Sequence, residues 1–112
     1  MVTPFDLLAL AEELSHRADE ASLRCAASRA YFAAFLHCRN VASSELGFSP
    51  TGFARDHLAI RRAIGESNAQ AAARLENLRK ERNRADYEVD EDFGPGPAQE
   101  ACRTARILIS TL

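Results

Sequence analysis

The stretch CAASRAYFAAFLHCRN, residues 25–40, is apolar almost all the way round a helix. Leu23, Ala27, Ala30, Ala34, Cys38 and Val41 recur at helical spacing and make one stripe, and Phe32, Phe35 and Leu36 make a second face beside it. A helix with this pattern has to be covered on more than one side. In a chain of 112 residues that places it at the centre of a bundle, in a subunit interface, or both. Its small side chains predict close approach by neighbouring helices. The helix is expected from about Glu20 to about Leu46, stopped by Gly47 and Pro50.

The segments around it also read as helix. Thr3 suits an N-cap, Pro4 the first helical position, and Asp6 opposes the dipole in the first turn. Leu7, Leu10, Ala11 and Leu14 then form an apolar stripe. GFSPTGF is a loop, and a third helix follows over roughly 54–66 with Leu58, Ile60 and Ile64 as candidate core. Gly65 and Asn68 mark a break before a fourth helix, VDEDFGPGP is a non-helical connection, and Pro97 can open a last helix ending ARILISTL. No strand-like alternation bounded by hairpin turns occurs. The expectation is a single all-α domain over residues 1–112, an up-and-down bundle of four to five helices.

Composition narrows the function classes. The chain is 46% hydrophobic and 27% charged with a net charge of −2, so it is globular and carries no general field for polyanions. Its basic groups are all arginine except Lys80, and arginine offers a planar fork that suits a local carboxylate or phosphate site. Cys25, Cys38 and Cys102 are an odd set without C-x-x-C spacing, which points to a reducing cytoplasm rather than a disulfide framework. The N-terminus carries Asp6, Glu12 and Glu13 where a signal peptide needs basic residues, and AYFAAFL is too short to span a bilayer. A soluble, cytoplasmic protein is expected. No phosphate-binding glycine loop, dinucleotide fingerprint or serine-nucleophile motif is present. No metal site is expected either, because adjacent His37 and Cys38 diverge on a helix. His16 and His57 read as solvated positions.

RKERNRADYEV, residues 79–89, breaks the pattern. The apolar spacing of the fourth helix runs Ala71, Leu75, Leu78, position 82, Ala85 and Val89, and position 82 is Arg. A guanidinium there must be paired, or lie at an interface or in a cleft, because burying it alone is costly. At ~100° per residue Asp86 lies ~40° from Arg82, Arg79 ~60°, Asn83 ~100° and Tyr87 ~140°. These residues form one polar arc bordering the apolar face. Basic residues near a helix C-terminus and an i,i+4 pair account for Arg79, Lys80 and Arg84 without invoking a site. They account poorly for Arg82. In the second helix, Arg29 and His37 flank the apolar segment, as a snorkelling cation and a core-edge imidazole if they have no other role.

CAASRAYFAAFLHCRN in a long second helix, followed by RNRADY at the end of a fourth, resembles the HEPN superfamily of small α-helical domains. The resemblance covers most of the chain in helix order and implies a HEPN-like bundle that dimerises. Many members are metal-independent RNases of toxin–antitoxin, phage-defence and CRISPR systems, often encoded beside a minimal nucleotidyltransferase. Their active-site pattern is an Arg, usually followed by a polar residue, then a His about five positions on. Arg82 matches the Arg and Asn83 the polar residue, but Tyr87 stands where the His belongs, and no His follows His57. A phenol, with an ordinary pKa of about 10, is a weaker proton shuttle than an imidazole. Some members carry, two residues past the His, a Tyr that the nucleotidyltransferase modifies with AMP. That position is Val89, leaving Tyr87 as a shifted candidate.

The resemblance implies a cofactor-free domain that binds nucleotide or RNA phosphate through Arg79, Arg82, Asn83 and Arg29, as the toxin-like half of a two-component or defence system with a degenerate motif. One alternative is an active metal-independent RNase using Arg82, Asp86 and Tyr87 across a dimer cleft. Another is a non-catalytic homodimerisation module in which Arg82 only pairs with a carboxylate such as Asp86 or Glu13. Expected partners are a second copy through the second and fourth helices, a minimal nucleotidyltransferase, and RNA or nucleotide, with no membrane. An open cleft at Arg82 goes with the first two functions, and closure by a carboxylate with the third.

Overall fold

The computed structural model describes residues 1–112 as five helices and no strands: α1 Pro4–Ser15, α2 Glu20–Glu45, α3 Asp56–Ser67, α4 Ala69–Tyr87 and α5 Pro95–Thr111. The all-α bundle is as expected, with five helices. α2 packs on each of the other four, which in turn touch one another in the order α1, α5, α4, α3. The central helix is therefore the one whose sequence is apolar nearly all round. It contributes Ala26, Ala27, Ala30, Ala33, Ala34, Cys38 and Ala42 to a 25-residue buried cluster, and these short side chains let its neighbours approach closely. Leu8, Ile60, Ile64, Leu75, Leu78 and Leu108 supply the large buried side chains around it. No helix is long and apolar enough to cross a membrane.

Local chemistry sets the helix ends. Thr3 and Asp6 form a capping box, each side chain accepting the other's backbone N–H at 3.2 and 2.8 Å. Asp19 accepts from Ser22 N at 2.9 Å to start α2. Gly47, at φ 69°, reverses the chain so that Phe48 N–H returns to the Ala42 carbonyl at 3.1 Å. Asn68 ends α3 and caps α4 in one residue, accepting from Ala71 N at 3.0 Å. α5 begins two residues before the expected Pro97, because Pro95 and Pro97 both fall in a first turn that needs no N–H donors.

Four expected positions move. In α1 the fully buried residue is Leu8, while Leu10 is exposed, since α2 and α5 cover the Leu8, Ala11 and Ser15 side. In α3 Leu58 is exposed and only Ile60 and Ile64 are core. α4 ends at Tyr87, so Val89 lies past the helix and in solvent. The buried side of α4 is Ala71, Leu75, Leu78 and Ala85, which puts Arg82 on the rim of that stripe and not in it.

Candidate functional site

The seam where α4 meets α2 and α3 collects the polar groups. Arg82 is held from its own helix: its Nε is 3.1 Å from Asp86 Oδ2 and its Nη1 donates to Asn83 Oδ1 at 3.1 Å. Asp86 is held in turn by the buried Ser28 of α2, whose hydroxyl donates to Oδ2 at 3.1 Å. The guanidinium lies between two phenol rings, 5.9 Å from the centroid of buried Tyr31 and 5.6 Å from that of Tyr87, which is 70% exposed. Nη2 makes no bond to protein, and the Arg82 side chain keeps 32% of its surface in solvent. Arg82 is thus tethered by a carboxylate without being enclosed by one. Glu13, the other carboxylate considered for it, pairs with Arg17 on α1.

Behind Arg82, Tyr31 reaches across the bundle to α3. Its hydroxyl hydrogen-bonds Nδ1 of His57, whose ring stacks on Phe35 at 4.1 Å with a 10° interplanar angle. Burial pushes the Tyr31 phenol up to about 12, although Arg82, Arg79 and Arg61 pull the other way. Burial also holds His57 below the ordinary imidazole range, reinforced by the charge of Arg82 and opposed by Asp56. The imidazole is therefore neutral at pH 7, with one nitrogen engaged by the phenol. His57 was expected in solvent, and the structure places it half-buried at the site instead. Its sequence neighbour is the reason: Asp56 folds back on the preceding turn, accepting from Thr51 Oγ1 at 2.6 Å and from Thr51 N and Gly52 N at 3.0 Å each. Gly52 at φ 80° makes that turn possible. Locking the start of α3 this way aims the next side chain, His57, at α2.

The remaining expected residues divide. Asn83 and Tyr87 sit with Arg82, and both line a shallow groove with Lys80, Arg84 and Glu88. Arg79 is held by Glu76, in a two-pronged pair at 3.0 and 2.6 Å, and Arg61 of α3 pairs with the same carboxylate. Arg29 lies 4.9 Å over the Phe32 ring and makes no ion pair with the arc. No set of three or more His, Cys, Asp and Glu side chains is grouped to hold a metal ion.

One supporting residue had no sequence signal. Arg24 of α2, 13% exposed in its side chain, donates to the carbonyls of Arg84, Ala85 and Glu88 at 3.2, 2.9 and 3.3 Å and to that of Glu91. It thereby satisfies the open C-terminal carbonyls of α4 just beyond the site. Phe93 is wedged between the guanidinium groups of Arg24 and Arg84, at 5.5 and 5.4 Å, and its N–H donates to Glu20. Arg24 and Glu20 lie sixty residues or more in sequence from these partners, so no local pattern reveals them.

Protein-family models, curated proteins and solved structures give no match to this chain.

Proposed function

We propose that the chain is a HEPN-like domain that binds nucleotide or RNA phosphate at Arg82. The observation that carries this is the half-open guanidinium: Nε and Nη1 are fixed by Asp86 and Asn83, and Nη2 and a third of the side-chain surface face solvent. A pre-oriented fork of this kind recognises a phosphate with little loss of side-chain entropy. Arg79 and Arg61 add positive potential from behind Glu76. The same proposal includes a homodimer joined through α2 and α4, where Phe32 and Leu36 are only half-buried, and a minimal nucleotidyltransferase as the second component of a toxin–antitoxin or defence pair. Exposed Tyr87 is then the phenol open to modification. The test is calorimetric titration with the dinucleotide UpU. Binding that falls tenfold or more in Arg82→Ala supports the proposal, and equal affinity in both proteins overturns it.

A second reading, metal-independent RNA cleavage, is favoured by His57. The motif position holds Tyr87, but an imidazole reaches the Arg82 neighbourhood from α3 through Tyr31. In that reaction Nδ1–H of His57 donates to the Tyr31 oxygen and leaves Nε2 free. The 2′-oxygen bonds to phosphorus as its proton passes to Nε2, the bond from phosphorus to the 5′-oxygen breaks, the leaving oxygen takes a proton from water, and the imidazolium returns its proton to the hydroxide that remains. Arg82 stabilises the charge that builds on the phosphoryl oxygens. End-labelled RNA incubated with the pure protein in EDTA tests it. Cleavage by wild type that disappears in both Arg82→Ala and His57→Gln establishes the reaction. Intact RNA with folded wild type leaves binding alone.

A further inference from the structure

Five arginines form no ion pair in the fold: Arg29, Arg39, Arg55, Arg62 and Arg74. Three of them gather around a single turn. Arg39 lines a depression of about 210 Å³ on one side of residues 51–56, and Arg55 and Arg62 line another of about 270 Å³ on the other side. Phe53 lines the first depression and is 66% exposed, with the Arg55 guanidinium 5.2 Å above its ring. The carboxylate that lines both depressions, Asp56, is occupied by the donors of Thr51 and Gly52. His57 forms part of the wall of the first depression and carries the link to Tyr31 and Arg82. A basic strip with one exposed aromatic ring therefore runs across the start of α3, joined to the Arg82 seam through His57 and the buried Tyr31.

We propose that this strip is a binding track for single-stranded RNA, with Arg39, Arg55 and Arg62 on successive phosphates and an unpaired base stacked on Phe53. The inference rests on phosphate recognition at Arg82 and extends it from one phosphate to a strand. Two features select a nucleic acid over an acidic peptide. An exposed phenylalanine ring with one guanidinium over one face offers its other flat apolar face for a base to stack on. Arginines spread on both sides of it suit a repeating anion better than one carboxylate cluster. A duplex buries its bases, so the exposed ring selects single strands.

Fluorescence anisotropy with an end-labelled ten-nucleotide poly(U) strand, beside calorimetry with UpU, tests the track. Phe53→Ala is expected to weaken the ten-mer about fivefold or more and to leave UpU unchanged. Arg55→Gln with Arg62→Gln is expected to reduce the slope of log affinity against log salt by about 1.4, which is two phosphate contacts. Ten-mer binding that depends on Arg82 but ignores Phe53 and the arginine pair overturns the track and leaves the Arg82 site standing. Absence of UpU binding together with Phe53-dependent ten-mer binding overturns the Arg82 site and not the track. Equal affinity for a ten-residue poly(Glu) peptide overturns the choice of RNA. Circular dichroism of each variant confirms that these exposed positions do not disturb the fold.

Discussion

The Tyr31 hydroxyl and the His57 Nδ1 meet across the α2–α3 seam, 26 positions apart in sequence. The bond connects a buried phenol beside Arg82 to an imidazole whose proton affinity is set by burial and by that same arginine. Tyr31→Phe removes it and leaves a half-buried ring nitrogen unpaired. The expected cost is about 1 kcal/mol in urea unfolding. Histidine NMR shifts are expected to change at His57 and stay fixed at exposed His16.

Acid lowers stability in two windows. His57 and His37 are both held below the ordinary imidazole range by burial, so the unfolded chain binds their protons more readily than the native one. Their contribution is fully present above the unfolded pKa of about 6.5 and is lost as pH falls through the native values. Denaturant melts at pH 8 and pH 5 are expected to show the loss, with His57→Gln and His37→Gln each removing part of the slope. Glu12 is lowered chiefly by its bond to Arg106, and Asp56 by that from Thr51, so their contribution disappears only in the carboxylate range below.

Arg24 and Arg82 separate stability from function. Arg24→Ala removes a donor from the carbonyls of Arg84 and Ala85 at the end of α4 and of Glu88 and Glu91 just beyond it, and about 2 kcal/mol of unfolding free energy is expected to go. Arg82→Ala removes a partly solvated i,i+4 pair and is expected to cost under about 1 kcal/mol. Thermal melts that reverse this order would show that Arg82 is a structural strut.

Thiol chemistry probes the packing of α2 and α5. Cys25 is exposed, whereas burial pushes Cys38 up to about 12 and Cys102 to about 11. Titration with a chromogenic disulfide at pH 8 is expected to detect one fast thiol in native protein and the other two only after unfolding.

Overpacking the core gives a fifth check. Ala30 is fully buried on the central helix, and Ala30→Leu is expected to destabilise by about 1–3 kcal/mol, with Leu8→Ala costing about 2–5 kcal/mol.

Helix number, order and the central role of α2 were legible because periodicity and caps are local: Thr3 with Asp6, Asn68 and the alanine pattern each lie within a turn or two. The arc of Arg82, Asn83, Asp86 and Tyr87 was legible for the same reason, since one helix carries all four. His57 was not. Its burial follows from the turn that Asp56 makes with Thr51 and Gly52 and from a tyrosine on another helix, neither of which leaves a mark in hydrophobic spacing. For Arg79, spacing on α4 gives the direction but not the competing carboxylate, Glu76, one turn back. Leu10 and Leu58 show the same limit: a helix with apolar residues on two sides does not declare which side its neighbours take.

Along α2, alanine or cysteine fills positions 26, 27, 30, 33, 34, 38 and 42, all fully enclosed by neighbouring helices. A larger side chain at any of them has nowhere to go, and a compensating deletion must come from a different helix at the same moment. Drift at these seven sites is therefore expected to be slower than at surface positions outside the proposed binding residues. Distant descendants of the same ancestor are expected to keep this ladder of small residues after their site chemistry has diverged, which makes it the pattern to search for when overall identity has faded.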